Sequence, residues 1–276
     1  MKDIQRKKAE TLLELHHSDK LLILPNIWDV LGAKLLESEG FEAIATASAS
    51  VAFSRGYDDN QEIDFTILLR LLRTICNSTS LPVTADIERG YAGTLDELTE
   101  NIKNLINCGI VGLNIEDSNV KGQDLEPIDL QCEKIKLIRK VSDDVGVPLV
   151  INARTDVFLI KHFEGNRLKE AIRRGRQYME AGADCFYPIL CGNDELKEIN
   201  LNVQLPVNVI AQQHTFSIKE LEQLKIARLS FGPALLKSVL MKMQEIFQSI
   251  KQDVGFNSFI NENMISSARI LEIIKS

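Results

Sequence analysis

The chain has 276 residues, 45% of them hydrophobic and 26% charged, which is enough to bury a complete core of about the size of one α/β barrel. Its formal net charge of −7 disfavours nucleic acid as a partner, because binding to phosphates needs clustered basic residues. No apolar segment approaches the roughly 20 residues of a membrane span or resembles a secretory signal, so we expect a soluble cytoplasmic protein with reduced cysteines and no membrane partner.

Short apolar runs rich in Val, Ile and Leu alternate with longer amphipathic segments, as parallel strands alternate with crossover helices. The eight runs interpreted as strands are 21–25, 43–46, 82–85, 111–115, 149–153, 184–187, 207–210 and 227–231. The helical patterns between them are 28–39, 65–77, 95–107, 130–141, 167–180, 195–200, 218–224 and 233–250. Eight such units, with no linker rich in Pro, Gly or Ser, predict an α/β fold with one closed (β/α)8 TIM barrel. An open doubly wound sheet is the alternative.

Two pieces outside these units predict additional N- and C-terminal helices. Residues 4–16 have helical spacing and are expected to cap the amino-terminal end of the barrel, and 264–274 again show apolar spacing of three and four. We interpret 1–276 as a single barrel domain whose helical extension from about 233 packs on another subunit, which predicts a homo-oligomer, either a dimer or a tetramer. The alternative is that both pieces cover the barrel's own surface.

Several predicted helices carry signals at their ends. Thr94, followed three residues later by Glu97, predicts a capping box at the start of the helix at 95–107. Gly40, Gly109 and Gly182 each fall where a helix should stop and lead directly into a predicted strand.

Carboxylates cluster at the carboxyl ends of the predicted strands, which face the active site in a (β/α)8 barrel. Asp59 lies in the loop after strand two, Asp86 and Glu88 follow strand three, and Glu116 follows strand four. Like charges repel unless a cation lies among them, and oxygen ligands without nearby Cys or His select Mg²⁺, with Mn²⁺ as the second choice. The alternative for each residue alone is a helix cap or a solvated loop charge.

Arg154 ends the fifth predicted strand, where a guanidinium can form paired hydrogen bonds with an anionic substrate beside a metal. Its alternative role is that of a buried partner for Glu116 or Asp156. The small residues at 46–50 after strand two would let backbone N–H groups approach a substrate carboxylate, or would permit tight packing instead.

Several of these segments, taken together, resemble the isocitrate lyase/phosphoenolpyruvate mutase superfamily in order and spacing. They are Pro25-Asn26-Ile27-Trp28-Asp29, the region of Ser48, and residues 56–59, 85–91, 114–117 and 152–156. The resemblance runs from about residue 21 to about residue 233, and the short segments fall at the matching strand ends.

The resemblance implies a Mg²⁺-dependent enzyme that binds a 2-oxo acid or its enolate and makes or breaks the adjacent C–C or P–C bond. Asp86 then corresponds to the direct metal ligand, with Asp59, Glu88 and Glu116 holding the ion, some through water. The implied substrate-binding residues are Arg154 as the anion clamp, the backbone of Ala47, Ser48 and Ala49, and, more weakly, Asn208. The candidate catalytic residues are Asp59, Asn119, Lys121 and Arg154.

The loop after strand four departs from the superfamily's lyases, which carry Lys-Lys/Arg-Cys-Gly-His there with the cysteine as acid/base. Here the loop at 118–127 reads SNVKGQDLEP and contains neither Cys nor His. Cys132 lies beyond it in a predicted helix. Asn119 and Lys121 loosely match the Asn and Lys of mutase and phosphonopyruvate hydrolase loops, so the resemblance is to the phosphonomutase-like branch. The loop's polar composition makes a stable strand or helix unexpected and favours a mobile gate over the metal site.

Three functions fit these observations. The first is a Mg²⁺-dependent lyase that cleaves a C–C bond in a small 2-oxo or 2-hydroxy carboxylic acid through an enolate, by decarboxylation or retro-aldol cleavage. The second is P–C bond chemistry on phosphonopyruvate, by a mutase or a hydrolase. The third is a catalytically silent barrel that binds a 2-oxo acid.

Overall fold

The strands of the computed structural model pair in parallel, as the continuous apolar runs in the sequence require. The structure describes residues 2–119, 123–252, 255–257, 259–261 and 263–275. The strands are β1 Leu22–Leu24, β2 Asn26–Ile27, β3 Ile44–Thr46, β4 Val83–Asp86, β5 Gly112–Glu116, β6 Val150–Thr155, β7 Cys185–Pro188, β8 Asn208–Ile210 and β9 Arg228–Ser230. All eight strand regions expected from the sequence are found.

The strands close into a ring. Strands β2 to β7 form a six-stranded sheet in sequence order, and β1, β9 and β8 form a three-stranded sheet. Only Pro25 separates β1 from β2, and a parallel bridge joins Phe186 of β7 to Val207, the residue before β8. Because β1 and β2 together occupy one position, the result is the eight-stranded parallel barrel that the sequence predicts.

Helices alternate with the strands and cover the outside of the barrel. They are α1 Lys2–His16, α2 Val30–Ser38, α3 Ser48–Phe53, α4 Phe65–Ser78, α5 Leu95–Cys108, α6 Ile128–Val145, α7 Arg167–Glu180, α8 Asn193–Asn202, α9 Ile218–Gln223, α10 Ala234–Lys251 and α11 Ser267–Lys275. Every predicted helix is present, with ends that shift by a few residues. The short helix α3 was not expected, because the run of small residues there was interpreted as a loop.

The helix ends confirm that three glycines end helices, but they correct the predicted capping box at Thr94. Gly40, Gly109 and Gly182 have φ of 81°, 102° and 103°, a conformation that suits glycine at the end of a helix. Thr94 Oγ1 accepts from the N–H of Glu97, yet the Glu97 carboxylate accepts from the N–H of Gly93 at 2.7 Å. The expected capping box is therefore wrong in its second half, and a complete one begins α9 instead.

Helix α1 closes the amino-terminal end of the barrel, as expected. Leu12 of α1 is fully buried and packs against the start of β5. A Cβ added to Gly112, the first residue of β5, would lie 2.8 Å from Leu12 Cδ2. The Gln5 amide donates to the carbonyl oxygens of Ile106 and Ile110, just before that strand. The opposite, carboxyl end of the barrel is therefore the end that remains open to a ligand.

The two C-terminal helices differ in how they pack. Helix α11 lies against α2, with Ile273 buried and Arg269 3.7 Å from Glu39. In α10 Leu236 is buried, whereas several large apolar side chains are exposed: Val239, Leu240, Met241, Met243, Phe247 and Ile250. In the part of the chain that the structure describes, no helix combines the length and apolar character that crossing a membrane needs.

Candidate active site

The carboxyl ends of β4, β5 and β6 bring charged side chains to one end of the barrel. Asp86 ends β4, Glu116 ends β5, and Arg154 is the penultimate residue of β6. The strand register pairs Glu116 with Arg154, and Arg154 with Tyr187 of β7. Since alternate residues of a barrel strand point inward, these side chains belong to one layer at the mouth.

Asp86 is held from two sides. Its Oδ2 atom accepts from the hydroxyl of Ser48, the first residue of α3, at 3.2 Å. Its Oδ1 atom accepts from the backbone N–H of Glu88 at 3.1 Å. These contacts fix the carboxylate at the end of β4, at the residue that the family resemblance implies as the direct metal ligand.

Asp59 and Glu88 lie close enough to Asp86 for their charges to interact. Burial raises the pKa of Asp59, and the charge of Asp86 raises it further. Burial, assisted by the charges of Asp59 and Asp86, raises the pKa of Glu88 to about 7. The Asp59 Oδ1 atom is buried and has no hydrogen-bond partner among the described residues. A cation among these three carboxylates would relieve both the repulsion and the unsatisfied oxygen.

The turn that carries Glu88 has an unusual backbone. Glu88, Gly90 and Tyr91 have φ of 49°, 102° and 52°, and a Cβ at Gly90 would lie 2.6 Å from Leu98. The Tyr91 hydroxyl donates to Glu88 Oε1 at 2.9 Å. With its amide oxygen turned toward this segment, Gln61 accepts from three successive N–H groups at 2.9 to 3.3 Å. Positive φ at non-glycine residues is costly and concentrates at functional sites.

Glu116 is buried between two arginines. Its Oε2 atom lies 2.9 Å from Arg154 Nη1, and its Oε1 atom lies 3.3 Å from Arg89 Nη1. The Ser118 hydroxyl also donates to Oε1, at 3.1 Å. Burial outweighs the Arg154 charge and raises the pKa of Glu116 to about 8. Of these two arginines, Arg154 was expected at the mouth, whereas Arg89 was given no role from the sequence.

Arg154 makes contacts within the protein, as its alternative interpretation requires. Nε and Nη2 lie 2.5 and 3.1 Å from the two carboxylate oxygens of Asp156, and Nη1 contacts Glu116. Burial is the largest single effect and lowers the pKa of Arg154, but the charges of Asp156, Glu116 and Asp86 together raise it well above the ordinary value for arginine. The guanidinium is therefore rigidly oriented at the mouth, and any substrate anion would bind beside these carboxylates.

The expected substrate-side residues lie at two depths: Ser48 at the start of α3 contacts Asp86 at the mouth, and Asn208 lies opposite Arg228 in the layer beneath it. Ala47 is the N-cap of α3, and Ser48 and Ala49 form its first turn, where backbone N–H groups have no acceptor within the helix. Asn208 of β8 is fully buried; its Oδ1 atom accepts from Ser230 Oγ at 2.9 Å, and its Nδ2 atom has no partner among the described residues.

A polar layer beneath the mouth was not predicted. Arg228 starts β9 and is fully buried, and its Nη2 atom donates to Asn114 Oδ1 of β5 at 3.3 Å. Asn152 of β6 donates to the same oxygen at 2.8 Å, and Arg228 Nε donates to Ser230 Oγ at 3.3 Å. Within the described ranges Arg228 has no carboxylate partner. A charged residue inside an apolar strand run is the signal that could have identified it.

The loop after β5 has more structure than its composition suggested. Ser118 and Leu125 form an antiparallel bridge, and Asn119 N–H donates to the Asp124 carbonyl at 2.8 Å. Neither a helix nor a strand forms among the described residues of this loop, as expected, and the isolated bridge closes its base through backbone N–H and C=O groups. Lys121 lies outside the described residues.

Buried polar groups anchor this loop from below. Asp117 is fully buried and accepts from Arg174 and from Tyr178, at 3.0 and 2.6 Å. Arg174 also donates to the carbonyl of Glu126 at 2.9 Å, at the other end of the loop. Cys132 is on α6 with its Sγ atom 3.7 Å from the Gln177 carbonyl of α7, so it faces away from the mouth, as expected.

The carboxylates do not form a closed metal cage. In the ranges that the structure describes, no three His, Cys, Asp or Glu side chains have an arrangement ready to hold an ion by themselves. Magnesium usually keeps several waters and takes only one or two protein carboxylates directly. The hard oxygen donors and the unsatisfied Asp59 oxygen therefore fit a water-rich magnesium ion better than a zinc cage.

Comparison with known proteins identifies relatives that match most of the chain. A protein of Mycobacterium tuberculosis (strain ATCC 25618 / H37Rv), itself uncharacterised, is 33% identical over 220 residues, which cover 79% of this chain and 80% of that protein. A 2-methylisocitrate lyase of Halalkalibacterium halodurans is 28% identical over 211 residues, which cover 74% of this chain and 67% of the lyase.

Solved structures share the fold over almost the whole chain. One from Burkholderia cenocepacia J2315, described as of lyase/mutase type, has a TM-score of 0.90 at 29% identity and covers 99% of this chain and 98% of its own. A phosphonopyruvate hydrolase in complex with oxalate and Mg²⁺ has a TM-score of 0.85 at 22% identity, covers 96% of this chain and 94% of its own, and is similar in fold.

A family model described as phosphoenolpyruvate phosphomutase matches residues 12–251. The matched range contains all the barrel strands and the four carboxylates of the mouth. The chain therefore belongs to the phosphoenolpyruvate phosphomutase family, within the isocitrate lyase/phosphoenolpyruvate mutase superfamily.

Proposed function

We propose that this protein is a Mg²⁺-dependent enzyme that cleaves a C–C bond in a small 2-oxo or 2-hydroxy carboxylic acid. The observation that carries the proposal is the group formed by Asp59, Asp86 and Glu88, in which the charge of Asp86 raises the pKa of both neighbours and a buried oxygen of Asp59 has no partner among the described residues. A protein has no physical need to keep such mutually repelling carboxylates at a barrel mouth unless a cation or a reaction uses them.

Asp86 would hold the ion directly, with Asp59, Glu88 and Glu116 contributing directly or through water. Bound there, magnesium, or manganese in its place, would supply positive charge that stabilises the negative charge developing on a 2-oxo acid when its neighbouring bond breaks. The contacts of Asp86 with Ser48 and with the Glu88 backbone keep its carboxylate oriented for this role.

Arg154 would orient the substrate's anionic group, and the first turn of α3 at Ala47, Ser48 and Ala49 would receive its carboxylate through backbone N–H groups. Asn208 has a buried amide nitrogen with no partner in the described part of the chain, and this donor is available to a substrate oxygen. Because Arg154 is already held by Asp156 and Glu116, it would act as a fixed positive charge and not as a mobile clamp.

Because the loop cysteine is missing, the step that protonates the substrate carbon needs a different proton donor. The loop at 118–127 contains neither Cys nor His. A proton that reaches the substrate carbon would therefore come from water, including water held by Asn119, or from a loop residue such as Lys121. We therefore expect cleavage of isocitrate and 2-methylisocitrate to be slow, although a 2-methylisocitrate lyase is among the relatives.

The second candidate is P–C bond chemistry on phosphonopyruvate, as a mutase or a hydrolase. The loop without cysteine favours it, as does the family's description. A third candidate is a silent barrel that binds a 2-oxo acid. The ion pair of Arg154 with Glu116 favours this candidate, because Glu116 satisfies the guanidinium without a substrate.

One experiment separates the three candidates. The protein is incubated with Mg²⁺ and a panel of oxaloacetate, substituted 2-hydroxy dicarboxylates and phosphonopyruvate, and the release of pyruvate or inorganic phosphate and the isomerisation of phosphonopyruvate are followed. Metal-dependent turnover of a carboxylic acid, lost in Asp86→Ala, supports the first candidate. Phosphate release or isomerisation of phosphonopyruvate selects the second, and saturable binding of oxalate without any turnover selects the third.

We further propose that the chain works as a homo-oligomer and that 1–276 form one barrel domain. The exposed apolar side chains of α10 support the first statement, because contiguous apolar surface usually marks an interface. The ring of strands closed between residues 22 and 230 supports the second.

A further inference from the structure

A cavity of about 320 Å³ lies beside the mouth, between the start of α5 and the first half of α6. It is separate from the four carboxylates of the mouth, none of which lines it. The residues that matter for its chemistry are Arg89, Leu95, Leu98, Glu126, Leu130 and Lys134. Its size lies at the lower end of the range for sites that bind small molecules.

Two cations face this cavity with unused capacity. Lys134 is half-buried, and no carboxylate lies within ion-pair distance of it in the described part of the chain. Burial lowers the pKa of Lys134, and the charge of Glu126 in the same lining opposes that shift. Arg89 is 5% exposed, and its Nε atom is buried without a hydrogen-bond partner among the described residues.

The other walls limit the kind of anion that fits. Leu95, Leu98 and Leu130 present hydrocarbon to the cavity, and Glu126 adds one negative charge to its lining. The two negative charges of a phosphate dianion would be repelled by Glu126, and the dianion would offer no hydrocarbon to pack on the leucines. A monoanion with a short apolar body would use both kinds of wall.

We propose that this cavity is a second binding site, which takes a small carboxylic acid with a short branched hydrocarbon chain. Its carboxylate lies between Lys134 and Arg89, and its hydrocarbon part packs on Leu95, Leu98 and Leu130. The site needs no metal, which distinguishes it from the site at the barrel mouth.

Arg89 connects the two sites. Its Nη1 atom contacts Glu116 Oε1 at 3.3 Å and Asn60 Oδ1 at 2.7 Å, so it ties the candidate metal site to the loop that carries Asp59. Because Arg89 Nε is buried, an acid in the cavity reaches it only when the guanidinium turns toward the cavity, and this movement weakens the attraction of Arg89 for Glu116. Occupation of the cavity therefore changes the affinity of the mouth for Mg²⁺ and an anion, and the reverse holds by thermodynamic linkage. This second statement rests on the proposed function, whereas the binding site does not.

Calorimetric titration with isovalerate in excess EDTA tests the site by itself. We expect saturable binding that Lys134→Met weakens at least tenfold and that Leu130→Trp, which fills the cavity, also weakens. Lys136→Met is the matched control, because Lys136 is exposed on the same helix and does not line the cavity, and it should bind like the parent. Asp86→Ala should bind isovalerate normally. Absence of saturable binding, or equal binding to Lys134→Met and the parent, overturns the proposal.

The linkage is measured by titrating oxalate with Mg²⁺ in the presence and absence of saturating isovalerate. We expect a change of severalfold in the affinity for oxalate in the parent and none in Lys134→Met. An unchanged affinity in the parent overturns the linkage through Arg89. Failure of oxalate and Mg²⁺ to bind at all overturns the proposed function instead, and the titration in EDTA still decides whether the second site exists.

Discussion

Asp86 shows how far a single residue's role could be predicted from the sequence. Its place after an apolar strand predicted a carboxylate at the mouth of a barrel, and the structure places it beside Asp59 and Glu88. The sequence could not show that Ser48 and the Glu88 backbone would hold it, because these contacts depend on where α3 and a turn with positive φ lie.

We expect Asp86→Asn to separate function from stability. The substitution keeps the shape of the side chain but removes a charge that raises the pKa of both Asp59 and Glu88. Binding of oxalate with Mg²⁺ should therefore be lost, while the melting temperature without metal should stay equal or rise. Calorimetry and thermal unfolding measure the two effects. Asp58→Asn, at the exposed residue that precedes Asp59 in the chain, is the control, and a parent-like oxalate affinity in Asp86→Asn would remove Asp86 from the metal site.

Arg154 has two interpretations, as a substrate-binding residue and as a structural partner of buried carboxylates. Its guanidinium holds Asp156 and Glu116, so a lysine in its place keeps the charge and loses the fork. We expect Arg154→Lys to weaken binding of oxalate with Mg²⁺ by about 1.5–3 kcal/mol, the usual contribution of a charged hydrogen bond. Arg173→Lys, which breaks the fork that exposed Arg173 forms on Glu170, controls for the loss of a surface arginine pair. A lower melting temperature with unchanged affinity would identify Arg154 as purely structural.

At the scale of elements, the spacing of hydrophobic residues predicted every long helix and strand. It did not predict local structure that depends on backbone groups and has no side-chain signal. Helix α3 has six residues, and its N-cap is Ala47, whose side chain cannot cap a helix. The loop after β5 gains its bridge between Ser118 and Leu125 from backbone groups, which any sequence carries. Its anchors, Asp117 and Arg174, lie 57 residues apart in the chain, so spacing alone could not join them.

The end of α1 makes the fold sensitive to acid. Burial, with a smaller effect of the Arg228 charge, lowers the pKa of His16 to about 3, and its Nδ1 atom lies 2.7 Å from the Leu12 carbonyl oxygen. Since the unfolded chain takes up this proton near pH 6.5 and the folded one does not, stability falls as the pH decreases from about 6.5 toward 3.

Each pH unit in that window should cost about 1.4 kcal/mol through His16. Urea unfolding at pH 7.5 and 5.0 measures the loss, and His16→Met should remove about 2 kcal/mol of the difference between the two pH values. His17→Gln, at the adjacent exposed residue, should keep the parent's dependence on pH. If His16→Met and the parent lose equal stability on acidification, the proton uptake lies elsewhere.

At the scale of the whole molecule, the succession of eight units predicted a closed barrel, and the bridge from Phe186 to Val207 together with β1 and β9 closes it. The polar layer of Arg228, Asn114 and Asn152 inside the barrel was missed. Barrel interiors are usually apolar, and residues on β5, β6 and β9 meet only when the strands close on themselves. The single domain stays a prediction.

Helix α10 carries the last prediction, which concerns assembly. Leu240, Met243, Phe247 and Ile250 recur at spacings of three and four, so they form one stripe along the helix, and all four are exposed. Monomeric proteins rarely expose such a stripe, and burying it between subunits removes apolar surface from water.

We therefore expect the parent to behave as a dimer or tetramer in light scattering coupled to size exclusion. The double substitution Leu240→Lys and Phe247→Lys should shift it toward monomer, because two charges would have to be buried without partners at the interface. Leu201→Lys is the matched control, since Leu201 is an exposed apolar residue on α8, outside this stripe. A parent that is monomeric at micromolar concentration, or a double variant that assembles like the parent, would show that the stripe on α10 does not join subunits.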